Sequence, residues 1–352
     1  MYKLFLIAML GLMLSSAANA QDEALTEAVF NRYGQRLEKS GDGWIVPNEV
    51  QIVSRFNSDP NTVKGWREPW QYVPDRIKPD DMKKYNFETY PYKVYPDYTC
   101  EMDVYLPKNQ GNGPFPFVLI IHGGGWTTGH RKTPNMILIS EWFASNGIAC
   151  MSVSYTLSGQ GTFENTKVDL NDALRFIGDH SRQWKVDPTS FGFYGFSAGG
   201  HLASYMAMTP PGTKMFISAA GPGDMTRHAD GYTREGGNSQ MARYWGVTGD
   251  NTGNLCKASP IFLIPQPGAR IPAALIVQGL MDMTVDPKQS IDFASELMKK
   301  GAPSVEFMGL PYAGHITVNQ RHYLFEDQMF HLLFFAKKNL LLSPLRKVGR
   351  TI

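Results

Sequence analysis

The stretch "FGFYGFSAGGHLASYMAM", residues 191–208, runs from an aromatic, apolar segment through a serine flanked by glycines into a series of good helix formers. It predicts a buried strand that ends at Ser197 and turns at once into a helix. The glycines of this G-x-S-x-G pattern, Gly195 and Gly199, leave room for the turn, because a Cβ at either position would collide with a neighbouring strand or helix. Such a turn holds the serine hydroxyl clear of the sheet, at the partly positive N-terminus of a helix.

On both sides of this turn, apolar strands alternate with helical segments. Continuous apolar strands separated by helices predict an α/β domain with a mostly parallel central sheet and helices on both of its faces. In such sheets the chemistry gathers at the carboxyl ends of the strands. The predicted strands are two short ones on either side of residues 96–97, then one within 115–126 that runs into glycines, 148–157, 190–197, 214–222, 272–280 and 304–311. The predicted helices are 135–147, 166–184, one from 198, 286–301 and 321–341.

The amino-acid composition changes along the chain and divides it into segments. Residues 1–20, with an early lysine, an apolar run and a final Ala-Asn-Ala, are typical of a secretory signal peptide, although an anchor helix left in place is the alternative. An extension rich in proline, glycine and aromatic residues follows at 21–90, and the α/β domain occupies 91–342. Within that domain, 222–272 is a polar, glycine-rich insertion, interpreted equally as a cap or binding loop and as a passive surface insertion. Residues 343–352 form a tail.

Composition excludes several classes of protein. The 34 basic and 32 acidic side chains give a net charge of +2, and no clustered basic stripe is present, so we expect no nucleic-acid partner. No run after the signal is apolar enough to span a membrane, so we expect the mature protein to be soluble and exported, in the periplasm or outside the cell. Three cysteines allow one disulfide at most, and burial as free thiols is the favoured interpretation for Cys100 and Cys150.

A serine hydroxyl is a weak nucleophile and needs a base. Among the eight histidines, His315 follows a glycine just after the last predicted strand, whereas His201 lies in the helix after Ser197 and is expected to pack. The base in turn needs a carboxylate to orient it. Asp282 and Asp286 both follow a strand; Asp282 comes first, and Asp286 precedes a proline as a helix cap would. We favour Asp282, which gives the chain order Ser-Asp-His.

The stretch "HGGGW", residues 122–126, follows another buried strand. Its glycines allow backbone N–H groups to point at a developing oxyanion, and its histidine is expected to order the loop. We expect the oxyanion hole to consist of the N–H groups of Gly124, Gly125 and Ala198. A phosphate-binding loop is the competing interpretation, but the Gly-Lys-Ser/Thr ending of that motif is missing here.

These motifs resemble those of α/β-hydrolase esterases with an HGGG-type oxyanion loop, and most closely the bacterial branch related to feruloyl and acetylxylan esterases. The resemblance covers roughly residues 92–341 and rests on "HGGGW", "GFSAGGHLA", "ASP", "QGLMD" and "AGH". It implies the α/β-hydrolase fold, with Ser197, Asp282 and His315 as the catalytic triad. The chain departs from the family pattern at Thr156, where the family usually has an arginine, so that a local structural contact must differ.

The expected function is therefore that of a secreted serine ester hydrolase that works through an acyl-enzyme, with no metal or organic cofactor. The resemblance suggests a small-molecule or oligosaccharide ester as substrate, such as an acetylated or feruloylated fragment of a plant polysaccharide. A lipase-like enzyme and an amidase such as a formamidase remain alternatives within the same chemistry. A non-catalytic binding module on the same fold remains an alternative of a different class.

Overall fold

The computed structural model describes residues 38–40, 43–45, 86–108, 111–228, 239–247, 253–315, 318 and 325–341. The predicted signal peptide and the predicted tail lie outside the described residues, as does most of the extension. The described part of the extension contains an antiparallel hairpin of two short strands, β1 (Glu38–Ser40) and β2 (Gly43–Ile45).

Eight further strands form one sheet in the order β10-β9-β8-β7-β5-β6-β4-β3. Strands β5 to β10 are mutually parallel, whereas β4 runs antiparallel to β6 and β3 antiparallel to β4 at one edge. The predicted α/β-hydrolase fold, with its mostly parallel sheet, is thereby confirmed. The strands are β3 (Glu88–Val94), β4 (Thr99–Tyr105), β5 (Phe115–Ile121), β6 (Ala149–Val153), β7 (Val186–Phe196), β8 (Met215–Ala219), β9 (Ala273–Gly279) and β10 (Val305–Leu310).

Eight helices are described, and three of them, α4, α5 and α6, lie in the predicted insertion after a single 3₁₀ turn at Met225–His228. The others connect the parallel strands or end the domain. The helices are α1 (Pro134–Ala144), α2 (Phe163–Trp184), α3 (Ala198–Met208), α4 (Ser239–Trp245), α5 (Gly253–Ala258), α6 (Pro260–Leu263), α7 (Pro287–Lys299) and α8 (Phe325–Leu340).

The sheet separates two apolar layers. Alternate residues of β5 face opposite layers, as the pleat requires: Leu119 belongs to the layer with buried residues of α2, α3 and α7, whereas Ile120 belongs to the layer with buried residues of α1 and α8. Every residue of β5 and β9 is buried, because helices cover both faces of these strands. No helix among the described residues is long and apolar enough to cross a membrane.

Several boundaries differ from the sequence-based prediction, and two of them have a clear physical reason. Helix α2 begins at Phe163 rather than 166, because Thr162 caps it: its N–H donates to Asn165 Oδ1 at 3.0 Å. Strand β3 begins at Glu88, before the expected domain start at 91, because its backbone pairs with β4 from Glu88 onward. The sheet therefore includes the last residues assigned to the extension.

The cysteines are free thiols, as the sequence analysis favoured. Cys100 in β4 and Cys150 in β6 are buried, and Cys256 in α5 is exposed. Burial raises the pKa of the Cys100 thiol to about 12, so it stays protonated and behaves as a small apolar side chain.

The turn from β7 into α3 depends on two close backbone approaches. A Cβ added to Gly195 would lie 2.0 Å from the carbonyl oxygen of Gly199. A Cβ added to Gly199 would lie 2.0 Å from the carbonyl oxygen of Ile121, at the end of β5. The collisions expected from the G-x-S-x-G pattern are confirmed, and only glycine allows α3 to start so close to the sheet.

Thr156, where the chain departs from the family pattern, bonds to the buried carboxylate of Asp169. The backbone N–H and hydroxyl of Thr156 both donate to Asp169 Oδ2, and Tyr95 donates to Oδ1. The compensating positive charge comes from Lys93 on the edge strand β3, whose Nζ lies 3.0 Å from Asp169 Oδ1. Burial alone would lower the pKa of Lys93, but hydrogen bonds with Tyr95, Asp172 and Asp169 outweigh it and raise that pKa.

We expect Gly199→Ala to lower the free energy of unfolding by about 2 kcal/mol or more, because α3 must move away from β5 to admit the methyl group. Gly178→Ala is the matched control, since a Cβ there meets nothing within 4 Å and the residue lies in helix α2. That substitution should stabilise the protein by about 0.5–1 kcal/mol through helix propensity. Urea unfolding of both variants checks the pair, and equal effects would contradict the close approach.

A second prediction concerns the buried carboxylate. Lys93→Met should destabilise the protein by about 3 kcal/mol, because Asp169 would keep a buried charge without its cation. Lys299→Met removes an exposed lysine whose Nζ lies 3.5 Å from Glu296, and should cost less than about 1 kcal/mol. Chemical unfolding of the two variants measures the difference, and a Lys93 variant as stable as the Lys299 variant would refute the assignment.

Candidate active site

Ser197 lies between β7 and α3 in a conformation that few side chains adopt, with φ 54° and ψ −121°. Its backbone N–H donates to the Ala219 carbonyl at 2.8 Å, and its carbonyl accepts from the His201 N–H at 3.0 Å. These bonds fix the turn from both sides and hold the strained residue in place. The hydroxyl is therefore presented at the carboxyl end of the sheet, at the start of a helix.

The structure brings together the three side chains that the sequence analysis selected. The Oγ of Ser197 is 2.8 Å from His315 Nε2, and His315 Nδ1 is 2.7 Å from Asp282 Oδ2. An ionised carboxylate can only accept, so His315 carries its proton on Nδ1 and leaves Nε2 free to accept the serine O–H. This is the hydrogen-bond order that a nucleophile, its base and an orienting acid require.

Backbone contacts join the loop that carries the acid to the loop that carries the base. The Met281 N–H donates to the Ala313 carbonyl at 3.0 Å, and the Leu280 N–H donates to the Leu310 carbonyl at 3.0 Å. Gly279, at the end of β9, makes this possible, since an added Cβ would lie 2.4 Å from the Ala313 oxygen. These hydrogen bonds therefore fix the position of the loop that carries Asp282 relative to the loop that carries His315.

The Asp282 side chain is buried and accepts hydrogen bonds at both oxygens. Oδ1 accepts from the N–H groups of Thr284 at 2.8 Å and Val285 at 2.9 Å, and Oδ2 accepts from Gln278 Nε2 at 3.0 Å. Burial alone would raise the pKa of Asp282, but the hydrogen bonds from His315, Val285 and Thr284 outweigh it and hold that pKa below its ordinary value. The carboxylate is therefore kept ionised to orient His315.

The competing carboxylate, Asp286, has the capping role that the sequence suggested. It is the residue before α7 and accepts from the Lys288 N–H at 2.8 Å, with Pro287 in the first turn. The structure thus places Asp282, and not Asp286, beside the imidazole.

Sequence reasoning did not assign a role to Gln278. Its side chain is fully buried in β9, donates to Asp282, and accepts from the Ser290 hydroxyl at 2.7 Å. The available signal was a single polar side chain within the apolar stretch "AALIVQG" that leads to the acid. A buried amide needs partners, and here it uses them to fix the carboxylate.

The glycine loop that follows β5 lies directly against Ser197. A Cβ on Gly123 would be 3.2 Å from the Cβ of Ser197. His122 orders the loop as expected: its Nδ1 lies 2.7 Å from the Gly123 carbonyl, and its ring stacks on Tyr155 with centroids 4.4 Å apart. Burial lowers the pKa of His122 to about 4, so this imidazole is neutral at ordinary pH and acts as a structural residue.

The role of the three expected oxyanion donors, Gly124, Gly125 and Ala198, remains a prediction. Gly124 and Gly125 have positive φ values of 125° and 59°, and the Gly124 carbonyl accepts from the N–H groups of Thr127 and Thr128. Ala198 is the first residue of α3. None of the backbone–backbone hydrogen bonds in the described turns and loops uses the N–H of these three residues.

The insertion at 222–272 meets the site through buried aromatic side chains. Trp245 of α4 packs edge-on against Trp126 of the glycine loop, with centroids 5.1 Å apart. His201 of α3 is buried between them, and its Nε2 lies 2.8 Å from the Ala258 carbonyl at the end of α5. His201 therefore packs, as the sequence analysis expected, and the described helices of the insertion are anchored on the domain.

The arrangement fits nucleophilic acyl transfer. It provides a nucleophile, a base with its acceptor nitrogen on that nucleophile, and a buried anion behind the base. Within the described ranges, no three His, Cys, Asp or Glu side chains are grouped as the ligands of a metal ion would be.

Comparison with known proteins agrees with this geometry. The chain is 27% identical over 219 residues to a probable carboxylic ester hydrolase, LipM, of Mycobacterium tuberculosis, covering 58% of this chain and 49% of that protein. It is 30% identical over 115 residues to an acetylxylan esterase of Xylanibacter ruminicola, covering 33% of this chain and 23% of that protein. The chain spans about half the length of the curated relatives it matches.

Solved structures show the same fold. An esterase of Thermogutta terrifontis superposes with a TM-score of 0.61 at 22% identity, covering 74% of this chain and 95% of its own. A bifunctional GH43-CE protein of Bacteroides eggerthii superposes with a TM-score of 0.60 at 26% identity, covering 71% of this chain and 38% of its own.

The sequence matches the BD-FAE family over residues 102–297, which is more than half of the chain. This range contains the glycine loop, the turn at Ser197 and Asp282. His315 lies beyond it, but completes the same hydrogen-bonded arrangement. The chain is a member of the BD-FAE family with an α/β-hydrolase fold.

Proposed function

We propose that this protein is a serine carboxylic-ester hydrolase. The observation that carries the proposal is the pair of hydrogen bonds that joins Ser197, His315 and Asp282 in series, at 2.8 and 2.7 Å. Ser197 Oγ attacks the ester carbonyl while His315 Nε2 takes its proton. His315 then returns that proton to the leaving alcohol, and an acyl-enzyme remains.

Hydrolysis of the acyl-enzyme uses the same groups. His315 takes a proton from water, the hydroxide attacks the acyl carbonyl, and His315 returns the proton to Ser197 Oγ as the acid leaves. Asp282, held as an anion by its N–H donors, stabilises the imidazolium in both steps. In the proposal, the N–H groups of Gly124, Gly125 and Ala198 bind the oxyanion of each tetrahedral intermediate.

The proposed substrate class is an acylated fragment of a plant polysaccharide, with acetyl or feruloyl esters, acted on outside the cytoplasm. The family match and the similarity to an acetylxylan esterase support it. A cleft of about 400 Å³ also opens beside the loop that carries Asp282. It is lined by Arg227, Asp282, Met283, Thr284, Asp286 and Gln289.

The test is hydrolysis of p-nitrophenyl acetate and butyrate by the wild type, Ser197→Ala and Ser204→Ala. Ser204 is a matched control, because it lies on the same helix and its hydroxyl bonds, among the described residues, only to the Gly200 carbonyl. We expect Ser197→Ala to lower kcat by about a thousandfold or more, and Ser204→Ala to leave it within about twofold. A fluorophosphonate should label the wild type and Ser204→Ala alone.

Turnover that survives Ser197→Ala would refute the proposed nucleophile. A wild type that neither turns over these esters nor reacts with the fluorophosphonate would favour a binding module. With turnover established, release of acetate from acetylated xylo-oligosaccharides and of ferulate from methyl ferulate identifies the acyl group.

A second prediction separates the two aspartates that follow β9. Asp282→Asn should lower kcat by about 10⁴-fold, because the neutral amide no longer holds His315 in the required tautomer or stabilises the imidazolium. Asp286→Asn makes the same chemical change at a helix cap, where asparagine also serves, and should leave kcat within about twofold. Steady-state kinetics of the two variants checks this, and a larger loss at Asp286 would contradict the assignment of the acid.

A further inference from the structure

The glycine loop is strained at a residue that is not glycine. Gly124, Gly125 and Trp126 have consecutive positive φ values of 125°, 59° and 57°. The left-handed region is easily reached by glycine but is unfavourable for a bulky side chain. Strain of this kind persists only where the surroundings fix the residue. Some contact must therefore hold Trp126, and with it the two N–H groups that precede it.

The contacts of Trp126 meet this requirement. Its side chain is buried, and its indole Nε1–H donates to His201 Nδ1 at 3.3 Å. Its backbone carbonyl accepts from the Ser158 N–H at 2.8 Å. The ring also packs edge-on against His201, with centroids 5.4 Å apart, and against Trp245.

The partner of this bond, His201, is itself fixed from two further directions. Because an indole N–H can only donate, His201 Nδ1 accepts, and the proton of the imidazole lies on Nε2. That proton is donated to the Ala258 carbonyl at 2.8 Å. The backbone N–H of His201 donates to the Ser197 carbonyl at 3.0 Å, so the residue belongs to the first turn after the nucleophile.

We propose that Trp126 and His201 are positioning residues that set the oxyanion donors relative to Ser197. The hydrogen bond between the Trp126 indole and the His201 imidazole connects the strained glycine loop to the first turn of α3, next to Ser197. The hydrogen bond from His201 to the Ala258 carbonyl connects the same turn to the insertion. The inference rests on the proposed esterase function, because it concerns the oxyanion hole of that reaction.

Trp126→Phe is the smallest change that tests the hydrogen bond between Trp126 and His201, because it keeps an aromatic ring and removes the N–H. The oxyanion donors act in the transition state more than in substrate binding, so their displacement lowers kcat and kcat/KM together. We expect both to fall about tenfold, less than the loss of about 10²-fold or more that follows complete removal of one donor. KM for p-nitrophenyl acetate should change by less than about twofold.

Trp245→Phe is the matched control in the same aromatic cluster. The buried Nε1 of Trp245 has no hydrogen-bond partner among the described residues, so the same substitution removes no bond. We expect kcat to stay within about twofold of the wild type. Thermal unfolding of both variants shows whether either has lost its fold.

A transition-state analogue provides a readout that a purely structural role would not change. Ser197 Oγ adds to the carbonyl carbon of a trifluoromethyl ketone, and the oxyanion that forms lies in the proposed oxyanion hole. Its Ki should rise in Trp126→Phe by the same factor as kcat/KM falls. In Trp245→Phe the Ki should match the wild type.

His201 supplies the second half of the test. In His201→Gln, the amide keeps an acceptor and a donor that are separated by one carbon atom, as the two nitrogens of the imidazole are. The kcat of this variant should therefore exceed that of His201→Leu, whose side chain has neither group. Adding Trp126→Phe to His201→Leu should lower kcat little further than His201→Leu alone, because the two residues act through one hydrogen bond.

Four results would overturn the inference: equal kinetics for Trp126→Phe and Trp245→Phe, a loss confined to KM, an unchanged Ki, or additive effects of the Trp126 and His201 substitutions. An inactive wild type would instead refute the proposed function, so the two failures are distinguishable.

Discussion

The close approach of two backbones, at Gly199 and the Ile121 carbonyl, is the constraint on which the site depends. A Cβ at Gly199 would lie 2.0 Å from that oxygen, so α3 starts against the end of β5 only because the residue has no side chain. The glycine loop that follows β5 lies beside Ser197, since a Cβ on Gly123 would be 3.2 Å from the Ser197 Cβ, and the serine adopts φ 54° at this junction. The proposed nucleophile and the glycine loop therefore meet where α3 starts against β5.

A second constraint is that buried polar groups must be paired. Asp282 accepts from two backbone N–H groups, Gln278 and His315, and these bonds keep it an anion. His201, buried among aromatic rings, has a partner at each ring nitrogen. Asp169, away from the site, balances its charge with Lys93 on the edge strand. Since each of these groups would be costly if unpaired, the polar network restricts how the loops can pack.

The site could be predicted in large part because its signals are local. The buried strand, the G-x-S-x-G turn and the start of α3 occupy one continuous stretch, and Asp286 could be separated from Asp282 by the proline that follows it. Gln278 was missed as a functional neighbour, because an amide in a strand shows its partner only when a distant loop folds back. The Trp126–His201 bond was missed for the same reason, since 75 residues separate its two ends.

From the sequence alone came the succession of strands and helices along the chain, the α/β-hydrolase class and the three side chains proposed as the triad, because hydrophobic periodicity and glycine positions can be read directly from the residues. The folded structure was needed to show that His315 reaches both Ser197 and Asp282, and that Lys93 balances Asp169. It also shows that the indole N–H of Trp126 bonds to His201 and so connects the glycine loop to α3. These contacts join residues that are far apart in sequence, and hydrogen bonds depend on distances and angles that only the packed chain defines.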